Sequence, residues 1–411
     1  MSAATYILAG WLIDGSGGSI QEKVLLKIVD GRFAAIQQYS SDAVPESIQI
    51  TDLSHCTILP PLVDSHVHLF MSGTTEKKTR DWQLVAGYDE LRPVIGRHIH
   101  YLFSHGVLAV RDGGDRGGCA LRYRSEKEMH KEIILKASGR AWHKEGRYGG
   151  LIGRSIGEKD TLVTEYSKDN DAVDQVKLVN SGLNSLKSFG HETRPQFTQE
   201  QIAEIVAAAE RQGRKVMVHA NGRQPVRRAV EAGCHSIEHG YFMGKENLEL
   251  MAEKGTFWVP TLFTMKAYGL HINHAQAGAD PQVIAKNLNH QIEQLALARE
   301  MGVQVALGTD AGSLGVLHGE SMVEEMKLFK KAGYSFAETV QCATQNGARL
   351  LGIDDFGLIA TGKTATFLVA RGAPAQLPRK LSYLEAIYLN GAPSELYRKN
   401  PVKHIAGAGT K

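Results

Sequence analysis

The 411-residue chain has only four cysteines, Cys56, Cys119, Cys234 and Cys342, which lie far apart with no C-x-x-C pair. This spacing argues against a disulfide framework and a structural zinc knuckle, and fits small buried side chains in a reducing compartment. No run of about eighteen apolar residues occurs, so no segment is expected to cross a membrane. The opening MSAATYILAGWLIDGSGG has a short apolar patch with no basic stretch ahead of it, and reads as a strand and not a signal peptide. The formal net charge is only +3, without a basic stripe or a block of like charge. Nucleic acid is therefore not an expected partner, nor is a charged disordered tail expected. There is no internal repeat and no low-complexity segment, and a cytoplasmic protein is the default reading.

What is present is a change of pattern along the chain. Residues 1 to about 60 hold short strand-like runs, Tyr6 to Ile13, Lys23 to Ile28 and Phe33 to Gln37, broken by turn-formers at 14–18 and 30–31. A matching β-rich piece returns near the end, with Gly357 to Ile359, Thr366 to Ala370 and Tyr388 to Gly391. The two pieces flank everything else, so residues 1–60 and 355–411 are expected to pair into one small β-sandwich domain. Between them, in 61–354, short apolar runs alternate with stretches of helical period. The candidate strands are Leu62 to Ser65, Val107 to Arg111, Glu132 to Ala137, Asn184 to Ser188, Lys215 to His219, Ser236 to Glu238, Phe257 to Thr261 and Gln304 to Gly308. Candidate helices run over Thr198 to Gln212, Pro225 to Ala232, Lys245 to Lys254, Asp280 to Met301, Gly319 to Ala332 and Phe336 to Leu351. In the first of these, Ile202, Ile205, Val206 and Ala209 form one stripe, and Thr198 with Gln201 has the spacing of a capping box. Alternating β and α units imply a parallel sheet, and eight strands fit an α/β fold of the (β/α)8 (TIM) barrel type. The competing open, doubly wound sheet lacks support because no strand leads into a G-x-G-x-x-G or a P-loop.

A barrel places its chemistry at the C-terminal ends of its strands, and polar residues stand where these apolar runs stop. LPPLVDSHVHLF ends its run in His66 and His68, which share one face of a strand because side chains alternate. Neutral imidazole is a common ligand for divalent transition metals, so the pair forms half of a coordination shell. Further runs end in His219, His239, Asp310 and Lys187. Four histidines, an aspartate and a lysine on five strand ends are far more specific than any one of them.

The motifs PPLVDSHVH, VMVHA, SIEHG, ALGTDAG and TQNGARLLG resemble those of the amidohydrolase superfamily of metal-dependent hydrolases, and the resemblance covers nearly the whole chain. It is strongest to the Xaa-Pro dipeptidase (prolidase) and imidazolonepropionase-like group. The resemblance implies two divalent metal ions, with zinc the expected element. His66, His68 and Asp310 would hold one ion and His219 and His239 the other, with Lys187 bridging them as an N-carboxylated side chain made from CO2. It further implies hydrolysis by a metal-bridging hydroxide, with Asp310 taking its proton and passing it to the leaving amine. A carbamate offers two oxygens where lysine offers none, and offsets the repulsion between two cations. Two departures, Pro60-Pro61 where Pro-Gly is usual and Thr366 where an aspartate is usual, lie outside the ligand set. A third is informative. Deaminases and imidazolonepropionases carry a glutamate three residues after the fifth-strand histidine, whereas His219 is followed by Ala220, Asn221 and Gly222. That argues against the single-metal, glutamate-dependent mechanism.

For substrate contacts, Tyr241 is expected over the metal pair. The third-strand loop, His143 to Arg154, offers His143, Arg147, Tyr148 and Arg154, of which one or two bind a substrate anion. Arg111-Asp112 reads as a salt bridge closing the barrel mouth, and Asp64 as a turn residue or one that orients ligands from behind. His318 reads as a helix-capping or supporting residue, and His271, His274 and His290 as solvated. The function expected is hydrolysis of a small-molecule amide, an Xaa-Pro dipeptide or N-acyl amino acid. Hydrolysis of a cyclic amide, lactone, carbamate or urea is the alternative, since one metal centre serves all of these. A non-catalytic scaffold of the same fold is the remote one. Homo-oligomers are common for barrels of this size.

Overall fold

The computed structural model describes residues 4–40, 49–126, 133–273 and 277–399. Its strands in chain order are β1 (Thr5–Leu12), β2 (Gln21–Val29), β3 (Arg32–Gln38), β4 (Ile50–Leu59), β5 (Leu62–Val67), β6 (Val107–Asp112), β7 (Ile134–Ala137) and β8 (Ala141–Lys144). They continue as β9 (Gly153–Ile156), β10 (Gln175–Val179), β11 (Lys215–Ala220), β12 (Ser236–His239), β13 (Phe257–Val259), β14 (Phe367–Arg371), β15 (Ala386–Leu389) and β16 (Ala392–Pro393). Both ends of the chain enter one seven-stranded sheet, ordered β16-β15-β14-β4-β1-β2-β3. Its centre is the antiparallel pairing of β14 with β4, Leu368 opposite Leu59 and Arg371 opposite Cys56. The side chains of Ile7, Leu26, Phe33, Ile58 and Phe367 pack into its own apolar cluster. Strand β4 was not foreseen, and Gly357–Ile359 carries no strand.

The middle of the chain forms two parallel sheets, β5-β6-β7 and β13-β12-β11-β10-β8-β9. The segment 304–311 lies between their edges. On one side the amide of Ser65 donates to Leu307 O and that of Asp310 to His66 O; on the other, Trp258 donates to Gln304 O and Ala306 to Trp258 O. The expected eighth strand is thus reduced to isolated bridges at Val305 and Ala311. Asp64 substitutes for the missing ladder: its carboxylate accepts from the Thr309 amide at 2.9 Å and the Thr309 hydroxyl at 2.6 Å. Asp64 is fully buried, which pushes its pKa up to about 7.

The helices follow the sequence pattern closely. Gln199–Glu210 has the anticipated capping box of Thr198 and Gln201 and buries Ile202, Ile205, Val206 and Ala209. The stretch foreseen as one helix from Phe336 to Leu351 is two, Phe336–Ala343 and Gln345–Leu351, because Thr344 leaves helical geometry at φ −136°, ψ −87°. The misreading that matters most for the site concerns the fourth strand. Asn184–Ser188 is irregular, and the strand there is β10, nine residues earlier, hydrogen-bonded in register to β11 from Gln175–Lys215 to Val179–His219. Strands β8 and β9 were also missed. Glu132, His274 and residues 400–411 lie outside the described residues. All four cysteines are buried and free. Among the described residues no helix is long and apolar enough to cross a membrane.

Candidate metal centre

His66 and His68 project from the end of β5 as alternation requires, with Val67 buried between them. His66 Nδ1 donates to Glu238 Oε2 at 2.7 Å, and His68 Nδ1 donates to the Gly114 carbonyl at 2.8 Å. Each bond fixes the tautomer, because carboxylate and carbonyl oxygens only accept, and so leaves a bare Nε2 lone pair. Both Nε2 atoms approach Asp310 Oδ1, at 3.7 Å from His66 and 3.4 Å from His68. The ligand atoms of this trio lie within 4.8 Å of one another. Gly113 keeps the wall open: a Cβ there would stand 2.9 Å from His68 Cε1 and 3.1 Å from His66 Nε2.

The other two histidines complete a ring of imidazoles. The His66 and His239 centroids are 5.0 Å apart, and those of His219 and His239 4.6 Å. His219 Nε2 donates to the Gly182 carbonyl at 3.1 Å, which leaves its Nδ1 as the lone-pair nitrogen. His239 Nδ1 is 2.7 Å from Thr261 Oγ1. Three residues here hold left-handed backbone, His239 at φ 68°, Thr261 at 48° and Asp310 at 58°. That conformation costs about 1–3 kcal/mol for each residue with a side chain, and is kept where the surroundings over-determine it. Burial drives all four imidazoles toward the neutral form, with His68 brought down to about 4 and His219 to about 3. Neutral imidazole is the form that ligates.

The lysine in this cluster is Lys177, not Lys187. Lys187 is exposed beside Gly278 and does not line the cavity, because Asn184–Ser188 is irregular backbone and not a strand end. Lys177 sits on β10, buried, and its Nζ has no hydrogen-bond partner among the described residues. Burial lowers it to about 8, against the pull of Glu238, Asp310 and Asp112. Its charge in turn helps to depress His66, His68, His219 and His239, with which it lines one cavity. The detectable signal was the alternation in QVKLV, where Gln175, Lys177 and Val179 share one face.

Behind the imidazoles lies a buried ion pair that the sequence did not announce. Arg111 NH2 donates to Glu238 Oε1 and Oε2 at 2.7 and 2.8 Å, its Nε to the Ser65 carbonyl and its NH1 to Ser236 Oγ. Arg111 was expected to pair with Asp112 at the barrel mouth. Instead it runs inward, and Glu238 passes its orientation to His66. Asp112 turns the other way and accepts from the amides of Leu69 and Gly114. Removing one partner of such a buried pair costs about 3–5 kcal/mol, because the other charge stays behind unpaired.

Thr261, the partner of His239, opens the helix Leu262–His271, whose first amides donate to Glu325 at 2.9 and 2.6 Å. Burial raises Glu325 from 4.5 to about 8 despite those bonds. The folded protein thus holds this proton more tightly than the unfolded chain. Its contribution to stability is full below pH 4.5 and is lost as pH rises to about 8. Urea denaturation at pH 5 and pH 8 should show the wild type losing stability relative to Glu325→Gln across that interval. A pH-independent difference between the two proteins contradicts this reading.

These groups open onto a cavity of about 240 Å³. Tyr241 lines it, buried, with a hydroxyl that has no hydrogen-bond partner among the described residues. Tyr148 also lines it, its ring 5.3 Å from that of His219. The remaining third-loop candidates do not reach it. His143 is buried and bonded to the Lys144 carbonyl, and Arg147 donates outward to the Arg194 carbonyl. Arg154 stacks on Trp142 and pairs with Asp169. His318 stacks on His98 with centroids 4.0 Å apart. His271 is exposed, and His290 packs against Phe242 at 4.8 Å. Sequence reasoning missed Arg80, which lines the cavity from a helix, Lys77–Gln83, that reads as solvated.

A family model described as Amidohydrolase family matches residues 57–404. An uncharacterized protein of Mycobacterium tuberculosis is 26% identical over 397 residues, covering 92% of this chain and 94% of that one. The ochratoxinase of Aspergillus niger is 24% identical over 388 residues, covering 85% and 76%. Among solved structures, a Xaa-Pro dipeptidase with bound methionine in its active site superposes with a TM-score of 0.77 at 27% identity, covering 95% of this chain and all of that one.

Proposed function

Because the chain belongs to the amidohydrolase family, we propose that it is a binuclear metal-dependent hydrolase of amide bonds, acting on an Xaa-Pro dipeptide or an N-acyl amino acid. The observation that carries this is the set of bare donors facing one cavity. Among the described residues His66 Nε2 and Lys177 Nζ are buried without hydrogen-bond partners, beside Asp310 and three more neutral imidazoles. Such donors are costly to bury unless something binds them, and imidazole with carboxylate suits zinc, iron, manganese or cobalt. In this reading His66, His68 and Asp310 would hold one ion and His219 and His239 the other, with Lys177, as a carbamate, supplying a shared anionic ligand and zinc the expected metal. The two central sheets and segment 304–311 are read as one (β/α)8 barrel, with residues 61–354 as the catalytic domain and the flanking residues as the sandwich.

Bound divalent cations would supply a water of near-neutral pKa and polarisation of the scissile carbonyl. The chain's own residues do the rest. Burial lifts Asp310 to about 6, in the range where a carboxylate can both take and return a proton near neutrality. It accepts the proton of the attacking water as the C–O bond forms, then gives it to nitrogen as the C–N bond breaks. The Tyr241 hydroxyl, kept protonated by burial, donates to an oxygen of the substrate. Glu238 and Thr261 hold the His66 and His239 rings in place through their Nδ1 atoms.

The test is a substrate panel with protein reconstituted in zinc and bicarbonate: Xaa-Pro dipeptides, N-acyl amino acids, lactones, carbamates, ureas and cyclic amides. The expected outcome is turnover of the first two classes. Turnover confined to ring amides, carbamates or ureas would move the reading to the alternative, and bound metal without any turnover would favour a scaffold.

A further inference from the structure

The cavity has one acidic lining residue, Asp310, and two cationic ones, Lys177 and Arg80. Arg80 is partly buried, and its position is built. NH1 donates to the carbonyls of Ser72 at 2.7 Å and Gly312 at 3.0 Å, and NH2 contacts Met71 Sδ at 3.1 Å. These contacts fix the guanidinium plane but do not neutralise it. Among the described residues no carboxylate lies within 4.0 Å of it, and its Nε has no hydrogen-bond partner. By contrast Arg124 pairs with Asp174, Arg140 with Asp171 and Arg154 with Asp169.

A fixed guanidinium with unused donors, facing a cavity, is the arrangement that receives a carboxylate, since its planar fork matches two carboxylate oxygens. The backbone carbonyl of Gly312 ties it to the loop that carries Asp310, so its distance to the reacting centre is set by a rigid element. Around it the walls are apolar, with Phe70, Leu151, Ile152, Leu186, Met265 and Leu314, and Tyr268 beside Ser313. We infer that Arg80 is the specificity-determining residue that grips the substrate's free carboxylate, and that the substrates are N-acyl derivatives of apolar amino acids, dipeptides included. This rests on the hydrolase reading above and narrows it.

The experiment compares wild type, Arg80→Met and Arg80→Lys in two ways. Kinetics would use N-acetyl-L-leucine and N-acetyl-L-leucinamide, which differ only in the carboxylate. The expected result is a drop in kcat/KM of roughly 10- to 100-fold for the acid in Arg80→Met, the range for losing a hydrogen bond to a charged group. It should appear in KM more than in kcat, with the amide unaffected and Arg80→Lys recovering part. A merely structural role for Arg80 would lower both substrates alike and overturn the inference. Calorimetry of L-leucine against L-leucinamide reads the same contact without turnover. Preference for the acid in wild type, lost in Arg80→Met, supports the assignment whatever the activity, and equal affinities overturn it. Absence of turnover on both amides, with the binding preference intact, would count against the hydrolase reading alone.

Discussion

Lys177→Ala is expected to abolish hydrolysis, whereas Lys187→Ala should leave kcat/KM within about twofold of wild type. The loss should be at least the ~10²–10³-fold that follows removal of a single preorganised donor to a developing charge. In this account it removes the group that joins the two halves of the centre. Lys177 is buried and lines the cavity with the four imidazoles whereas Lys187 lies on the surface, so the two variants separate the competing assignments cleanly. The pH dependence of reconstitution gives an independent reading. Carboxylation needs the neutral amine, and burial brings Lys177 down to about 8. Recovery of activity from metal-free protein in zinc and bicarbonate should therefore rise with pH through about 8 and level above it. A pH-independent recovery, or full activity in Lys177→Ala, would contradict the account.

Asp310→Asn is the second large effect. Asparagine keeps the shape and can still reach both imidazole Nε2 atoms, but it cannot carry a proton from water to the leaving amine. A fall in kcat of about 10²–10⁴-fold is expected, the usual worth of positioned acid–base catalysis, with KM little changed. In wild type the activity should rise with pH as the carboxylate ionises. That limb lies at or below about pH 6, because burial raises the group to about 6 and bound cations favour its charged form. Metal content measured on the same preparation separates a lost proton carrier from a lost ligand. A variant with normal metal and normal kcat would remove Asp310 from the mechanism.

The residues legible in sequence were those whose role depends on where a strand ends. HVHLF, VHA, EHG and GTDAG each break an apolar run with a ligand-forming side chain, and His66, His68, His219, His239 and Asp310 do meet at one cavity. Lys177 was hidden because its strand, QVKLV, carries the lysine in mid-run, where a long side chain must extend toward the strand's C-terminal end to reach the imidazoles. The run GLNSL instead ends directly in Lys187, the same placement that marks the histidines and Asp310, although it lacks the β-branched alternation of QVKLV. Glu238 was seen only as a strand residue, because its function depends on Arg111, 127 positions away in sequence. Arg80 was obscured by its neighbours, KKTRDWQ, a stretch whose composition belongs to a solvated helix. The sheet of the two chain ends was foreseeable from strand patterning, whereas its strand β4 merges with the apolar run that leads into His66. The split at Thr344 and the bridging of 304–311 by Asp64 depend on tertiary contacts that no window of sequence contains.

The central claim is that Lys177 joins four histidines and Asp310 in one centre holding two cations. Elemental analysis of wild type, Lys187→Ala and Lys177→Ala, each reconstituted in zinc and bicarbonate and then freed of loose metal, tests it most directly. The account expects two ions per chain in the first two proteins and no more than one in the third. Two ions retained in Lys177→Ala, or one lost in Lys187→Ala, would contradict it.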